Sequence, residues 1–191
     1  FLIPRLLNPQ RALIAEPAFS EYRAALALTG CRVDSITSRR SASFSLDLGR
    51  LDAMLRRGYD IFFLANPANP TGIALEREAV LEVARLCARR STTLVVDEAF
   101  ADFCESVSIK AEAGRLKNTI VLRSMTKFFS MAGLRLGFMV SNPRLIKRFA
   151  REKPPWSVNT LASFAGVAAL KDSRYAEKTL RWLSVERPAL F

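Results

Sequence analysis

The chain has 191 residues, 50% of them apolar, so it can bury a substantial core and does not have the composition of a disordered protein. Its 29 Lys and Arg residues against 18 Asp and Glu give a formal net charge of +11, and it contains no histidine. The lack of an imidazole excludes His-based catalytic triads and histidine-ligated zinc sites, and we expect no metal site. Three widely spaced cysteines and the lack of a long apolar run predict a cytoplasmic protein.

Short β-rich runs alternate with amphipathic stretches along most of the chain, a pattern typical of α/β proteins. The predicted strands are 12–15, 31–36, 61–64, 93–96, 119–122 and 134–140. The predicted helices are about 20–28, 48–57, 76–90, 142–152, a stretch after Pro154-Pro155, and 173 to the end. Several of the strands lack polar alternation, so we expect a mostly parallel sheet with helices on both faces.

This organisation predicts one large α/β domain over residues 1–153, followed by a helical segment over 154–191. The first residue, Phe1, lies inside a predicted helix. We therefore expect the chain to be a fragment or a processed piece of a longer protein.

Polar side chains follow three of the predicted strands. Asn66 and Asn69 come after the strand at 61–64, Asp97 after 93–96, and Lys127 after 119–122. Each has a simple structural explanation: turn chemistry for the asparagines, a salt bridge or cap for Asp97, and a solvated loop position for Lys127. Because ligands bind at the carboxyl ends of parallel strands, their joint arrangement favours a ligand site.

Four motifs make a more specific signal. The sequences NPANPTG (66–72), VVDEAF (95–100), SMTKFF (124–129) and GLRLGF (133–138) occur in this order. In this order and spacing they resemble the pyridoxal-phosphate-dependent enzymes of the class I and II aminotransferase superfamily, of fold type I. The resemblance implies the large domain of that fold and pyridoxal 5'-phosphate as the cofactor.

The resemblance also implies roles for residues that would surround the cofactor ring. Lys127 would form a Schiff base with the cofactor aldehyde and later carry a proton. Asp97 would keep the pyridine nitrogen protonated, and Asn69 would donate to the phenolic oxygen O3′. Many members of the superfamily carry a tyrosine where this chain has Phe100, so a second hydrogen bond to O3′ would be absent here.

Further positions match the cofactor's phosphate and ring face. Ser124 and Arg135 match the phosphate-binding positions, and a guanidinium gives a bidentate, permanently charged grip. Thr126 can add a hydroxyl. Phe19 matches the aromatic that stacks on the ring, with simple core packing as the alternative.

Two stretches, DEAFADF (97–103) and PPWSVNTLA (154–162), resemble the threonine-phosphate decarboxylases, which make aminopropanol phosphate for cobalamin. The histidinol-phosphate aminotransferases are the alternative. A non-catalytic truncated fragment is a second alternative, because the family's C-terminal small domain would follow residue 191. The resemblance implies a small phosphorylated amino-acid substrate and a homodimer.

The positive charge offers a competing interpretation. One helical stripe of basic residues, at positions 144, 147, 148 and 151, could contact nucleic acid, but it equally fits the solvated face of an amphipathic helix. The chain has no RNA-binding aromatic motif and no helix-turn-helix signature. We therefore predict no nucleic-acid partner and no membrane partner.

Overall fold

The computed structural model of the protein describes residues 1–189. The last two positions of the predicted helical segment, 190 and 191, lie outside the described residues. Within the described part of the chain, no helix is both long enough and apolar enough to cross a membrane.

Six strands form one sheet in the order β2-β1-β3-β4-β5-β6. They are β1 (Arg11–Glu16), β2 (Arg32–Thr37), β3 (Ile61–Ala65), β4 (Thr93–Asp97), β5 (Thr119–Ser124) and β6 (Gly137–Ser141). The pairs β1–β2, β1–β3, β3–β4 and β4–β5 are parallel. The predicted α/β class with a mostly parallel sheet is thus confirmed.

Eight α-helices complete the described fold: α1 (Leu2–Leu7), α2 (Glu21–Ala27), α3 (Leu48–Leu55), α4 (Arg77–Arg89), α5 (Lys110–Ala113), α6 (Pro143–Glu152), α7 (Thr160–Lys171) and α8 (Ser173–Ala189). Side-chain caps start at least four of them, and at α8 the Oδ1 of Asp172 accepts from the N–H of Tyr175 at 2.9 Å. Asp47 accepts from a backbone N–H of α3, and Asn142 and Asn159 do the same for α6 and α7. Single-turn α5 was not predicted, because one turn shows no periodicity.

The strand predicted over 134–140 is wrong at its start. Residues Ala132–Leu134 form a 3₁₀ turn, and the strand begins only at Gly137. Arg135 has a φ of +55°, in the left-handed region, outside the β region that a regular strand requires. The backbone therefore turns at Arg135 before it enters β6.

The chain forms two compact units: residues 1–123 with 139–153, and residues 124–138 with 154–191, described as far as 189. The first unit holds two buried apolar clusters. In β3, Phe62 belongs to one cluster and Phe63 to the other. Because neighbouring strand residues point to opposite faces, the sheet is buried on both sides, as the missing alternation predicted.

The second unit contains α7 and α8 and the turns that follow β5. Ala162 is fully buried, and a Cβ atom on Gly166 would lie only 2.3 Å from Cδ2 of Leu136, so α7 closely approaches the chain there. The opposite side of α7 is open: Leu161 is 73% exposed and Phe164 is 75% exposed.

Candidate cofactor site

The predicted cofactor residues are divided between the two units. Phe19, Asn69 and Asp97 lie in the first unit. Ser124, Lys127 and Arg135 lie in the second. Each unit thus contains three of the six predicted residues.

Asp97 is the last residue of β4 and pairs with Ala65 of β3 and Leu122 of β5, which places it at the carboxyl edge of the sheet. Its Oδ1 accepts a hydrogen bond from the backbone N–H of Ala99 at 3.0 Å, and its Oδ2 accepts one from the hydroxyl of Tyr22 at 2.5 Å. A carboxylate offers about four acceptor positions. Asp97 can therefore accept a further donor, such as a protonated ring nitrogen.

Tyr22 is a residue of this site that the sequence analysis missed. It lies in the first turn of α2, is 8% exposed, and stacks on Phe63 with ring centroids 5.3 Å apart. Burial, together with the negative charge of Asp97, raises the pKa of Tyr22 well above its ordinary value, so its hydroxyl stays a donor. A buried tyrosine needs a partner for its hydroxyl, and a half-buried aspartate at a strand end needs donors. These two needs were the signal that the sequence offered for the pair.

The two asparagines of the turn after β3 have different surroundings. Asn66 is fully buried; its Oδ1 accepts from the N–H of Leu75 at 2.7 Å, and its Nδ2 donates to the carbonyl of Leu75 at 3.1 Å. Asn69 is half-buried, and its side chain makes no hydrogen bond within residues 1–189. Asn66 thus holds the turn together, while the amide of Asn69 is available to a ligand.

Phe19 is 46% exposed and meets the ring of Tyr22 edge-on, with centroids 5.9 Å apart. It is therefore not a core residue, and its exposed surface is compatible with the predicted stacking on a cofactor ring. That stacking stays a prediction. Phe100, where many relatives carry tyrosine, is half-buried and has no hydroxyl to offer.

In the second unit, hydroxyl groups gather where β5 ends. The Oγ of Ser124 and the Oγ1 of Thr126 are 2.7 Å apart, and the N–H of Thr126 donates to the same Oγ at 3.3 Å. The N–H of Met125 donates to the carbonyl of Leu136 at 3.1 Å. Met125 lies between the two hydroxyl residues, and Leu136 directly follows Arg135. The bond therefore brings the segment around Arg135 close to Ser124, so the predicted phosphate-binding residues lie in one part of the second unit.

The two cationic candidates of the second unit are both exposed. Lys127 lies in a turn, and its own backbone carbonyl accepts a hydrogen bond from the N–H of Ser130 at 3.1 Å. Arg135 donates from Nη1 to the carbonyl of Ala132 at 2.8 Å. A guanidinium has five N–H donors, so Arg135 keeps most of its capacity for an anion.

A buried ionic cluster adjoins the site in sequence and was also missed. The side chain of Arg123 is 1% exposed, and it contacts Glu98 at 3.0 Å, Asp102 at 2.6 Å and Glu105 at 2.8 Å. Burial alone would lower the pKa of Arg123, but Glu105 and Asp102 outweigh that effect and raise it. The cluster fixes the segment that follows Asp97.

The basic stripe on α6 matches the interpretation as an amphipathic helix. Phe149 on the opposite face is 3% exposed and belongs to a buried cluster of the first unit. Arg148 is not simply solvated, because its Nη2 donates to the carbonyl of Leu6 at 2.5 Å. Part of the stripe therefore holds α1 in place.

Comparisons with known proteins agree with the motifs. The family model described as aminotransferase class I and II matches residues 1–187. The chain is 40% identical over 193 residues to a threonine-phosphate decarboxylase from Salmonella typhimurium, covering 97% of this chain and 51% of that protein. It is 35% identical over 170 residues to a histidinol-phosphate aminotransferase from Symbiobacterium thermophilum, covering 88% of this chain and 46% of that protein.

A solved structure, the histidinol-phosphate aminotransferase from Clostridium acetobutylicum, superposes with a TM-score of 0.88 at 27% identity. The superposed region covers 98% of this chain and 57% of that structure. The chain spans about half the length of the curated relatives it matches.

Proposed function

Because the chain belongs to the class I and II aminotransferase family, we propose that it is the cofactor-binding part of a threonine-phosphate decarboxylase of cobalamin biosynthesis. Enzymes of this family use pyridoxal 5'-phosphate, which confirms the cofactor prediction at the level of the family. The choice of substrate rests on one observation, the 40% identity over nearly the whole chain to a threonine-phosphate decarboxylase.

The described side chains fit this cofactor. Asp97 has acceptor capacity left for a ring nitrogen, and the amide of Asn69 makes no bond of its own within the described residues. Arg135 is exposed with most of its donors unused, and Ser124 lies beside a second hydroxyl, a combination suited to a phosphate group. When bound, the cofactor supplies an electron sink for the bond that breaks at the substrate Cα.

The chain's own residues have defined tasks in this reaction. Lys127 holds a proton on its amine and delivers it to the substrate Cα after the carboxylate has left as carbon dioxide. Asp97 keeps a proton at the ring nitrogen, and Arg135 anchors the phosphate. The bond from Cα to the carboxylate breaks, a Cα–H bond forms, and the product keeps its phosphate ester.

A histidinol-phosphate aminotransferase is the second candidate, favoured by the relative that is 35% identical. The two activities differ in which bond at Cα breaks. We expect the chain supplied with pyridoxal 5'-phosphate to release carbon dioxide from threonine phosphate. Keto-acid-dependent turnover of histidinol phosphate alone would instead support the aminotransferase, and cofactor binding without either turnover would support a non-catalytic fragment.

The remaining predictions belong to the same proposal. A cofactor domain over 1–153, a helical segment over 154–191, a homodimer and a cytoplasmic location all stay predictions. Light scattering tests the assembly: we expect the mass of a dimer, and a monomer from a full-length version would contradict it.

A further inference from the structure

We propose that Tyr22 is a positioning residue for the cofactor's ring nitrogen, because its hydroxyl holds the Asp97 carboxylate in one orientation at the sheet edge. This inference rests on the proposed function, since it assumes that Asp97 meets the cofactor. It adds a residue that acts through Asp97 and does not itself touch the reacting atoms.

The geometry of the sheet explains why Tyr22 reaches Asp97. Phe63 of β3 pairs with Val95 of β4, and Asp97 lies two residues further along the same strand. Two strand residues cover about 6.6 Å and return to the same face. The ring of Tyr22 stacks on Phe63 with an interplanar angle of 23°, and its hydroxyl reaches Asp97 at 2.5 Å.

Packing gives the tyrosine little freedom. It is 8% exposed, it stacks on Phe63, and Phe19 meets it edge-on at an interplanar angle of 84°. A hydroxyl held in this way fixes one oxygen of the carboxylate, while the N–H of Ala99 fixes the other. The carboxylate then presents its remaining lone pairs in a set direction, which a ring nitrogen needs for a straight hydrogen bond.

The hydroxyl is also a permanent donor. Burial is the main cause that raises the pKa of Tyr22, and the charge of Asp97 adds to it. The phenol therefore keeps its proton throughout the neutral range, and the bond always runs from tyrosine to aspartate.

The test uses two ligands that differ only at the ring nitrogen. Pyridoxal 5'-phosphate and its 1-deaza analogue, which carries C–H in place of the nitrogen, are titrated into the parent chain and into Tyr22→Phe. We expect Tyr22→Phe to raise the dissociation constant of pyridoxal 5'-phosphate roughly tenfold, since a hydrogen bond to a charged group is lost. Binding of the deaza analogue should change less than about twofold, since it makes no bond to Asp97.

Tyr59→Phe is the matched control. Tyr59 is also buried, at 3% exposure, and its hydroxyl donates to another aspartate, Asp34, at 2.8 Å. This variant removes the same atom from the same unit, so we expect it to bind both ligands like the parent. Circular dichroism verifies that each variant keeps its fold.

A second measurement uses Asp97→Asn as the background. If Tyr22 acts through Asp97, Tyr22→Phe has no further nitrogen-dependent effect once the carboxylate is gone. The inference is overturned if Tyr22→Phe weakens both ligands equally, which indicates packing alone, or if it weakens neither. A parent chain that binds no pyridoxal 5'-phosphate contradicts the proposed function itself, a result distinct from the other two.

Discussion

One arginine in each unit shows how differently a cation can be surrounded in this protein. In the first, Arg123 is 1% exposed and is enclosed by three carboxylates. In the second, Arg135 is exposed and bonds to a single carbonyl within the described residues. The same residue type therefore stabilises structure in one unit and remains open to an anion in the other.

Apolar side chains show the same contrast. Leu94 of β4 in the first unit is fully buried, whereas Leu161 of α7 in the second is 73% exposed. The first unit thus depends on its interior contacts, and the second presents part of its apolar surface. Matched substitutions in the two units should therefore differ in their effect on stability.

Replacement of Arg123 should have the largest effect on stability. Arg123→Leu leaves Glu98 buried without its cation, and breaking such a pair costs about 3–5 kcal/mol of unfolding free energy. Arg135→Leu, its counterpart in the second unit, should change that free energy by less than about 0.5 kcal/mol. Urea unfolding measures both, and equal losses would refute the contrast.

Truncation of one leucine in each unit should also lower the free energy of unfolding by different amounts. Leu94→Ala opens a cavity in the sheet core and should cost about 2–5 kcal/mol. Leu161→Ala removes an exposed side chain and should cost less than about 0.5 kcal/mol. A large loss of unfolding free energy at Leu161 would show that α7 is covered in solution.

Acid should weaken the first unit through Glu105. Burial tends to raise the pKa of Glu105, but Arg123 and Lys110 outweigh it, so that pKa lies below its ordinary value. This contribution to stability is complete above about pH 4.3, the ordinary glutamate pKa, and disappears as the pH falls through the lower folded-state pKa. Denaturant midpoints measured from pH 7 to pH 3 follow the loss.

Lys110→Met isolates part of that acid effect. Removal of the Lys110 contact raises the pKa of Glu105 toward its ordinary value, so the variant should lose less stability between pH 7 and pH 3 than the parent. Lys178→Met, at an exposed position in the second unit, is the control and should behave like the parent. An identical acid response in all three proteins would contradict the assignment.

The smallest effect is expected at two glycines. A Cβ added to Gly114 in the first unit would meet no atom within 4 Å, so Gly114→Ala should stabilise by about 0.4–1 kcal/mol. Gly166→Ala forces Leu136 to move, a cost of about 0.5–1.5 kcal/mol that offsets most of the helix-propensity gain. A clear stabilisation by Gly166→Ala, measured by thermal unfolding, would show that α7 is loosely packed there.

The sequence predicted what depends on local patterns. Short β-rich and apolar runs located all six strands, because such runs are visible within a few residues. The early start predicted for β6 failed because the left-handed backbone of Arg135 leaves no trace in hydrophobicity.

Contacts between distant positions could not be predicted in the same way. Tyr22 and Asp97 are 75 residues apart, and their bond depends on the pairing of strands that periodicity does not specify. The four carboxylate and hydroxyl partners of Arg123 are likewise 15 to 25 residues away. The motif resemblance predicted Asp97 and Lys127 as cofactor residues, but only the structure shows which groups hold Asp97 in place.

Reduction with borohydride after addition of pyridoxal 5'-phosphate tests whether Lys127 carries the cofactor. We expect one cofactor fixed per chain, located at Lys127 by peptide mass spectrometry, and no specific label in Lys127→Ala. A label spread over other lysines such as Lys147 and Lys178, or undiminished in Lys127→Ala, would contradict it.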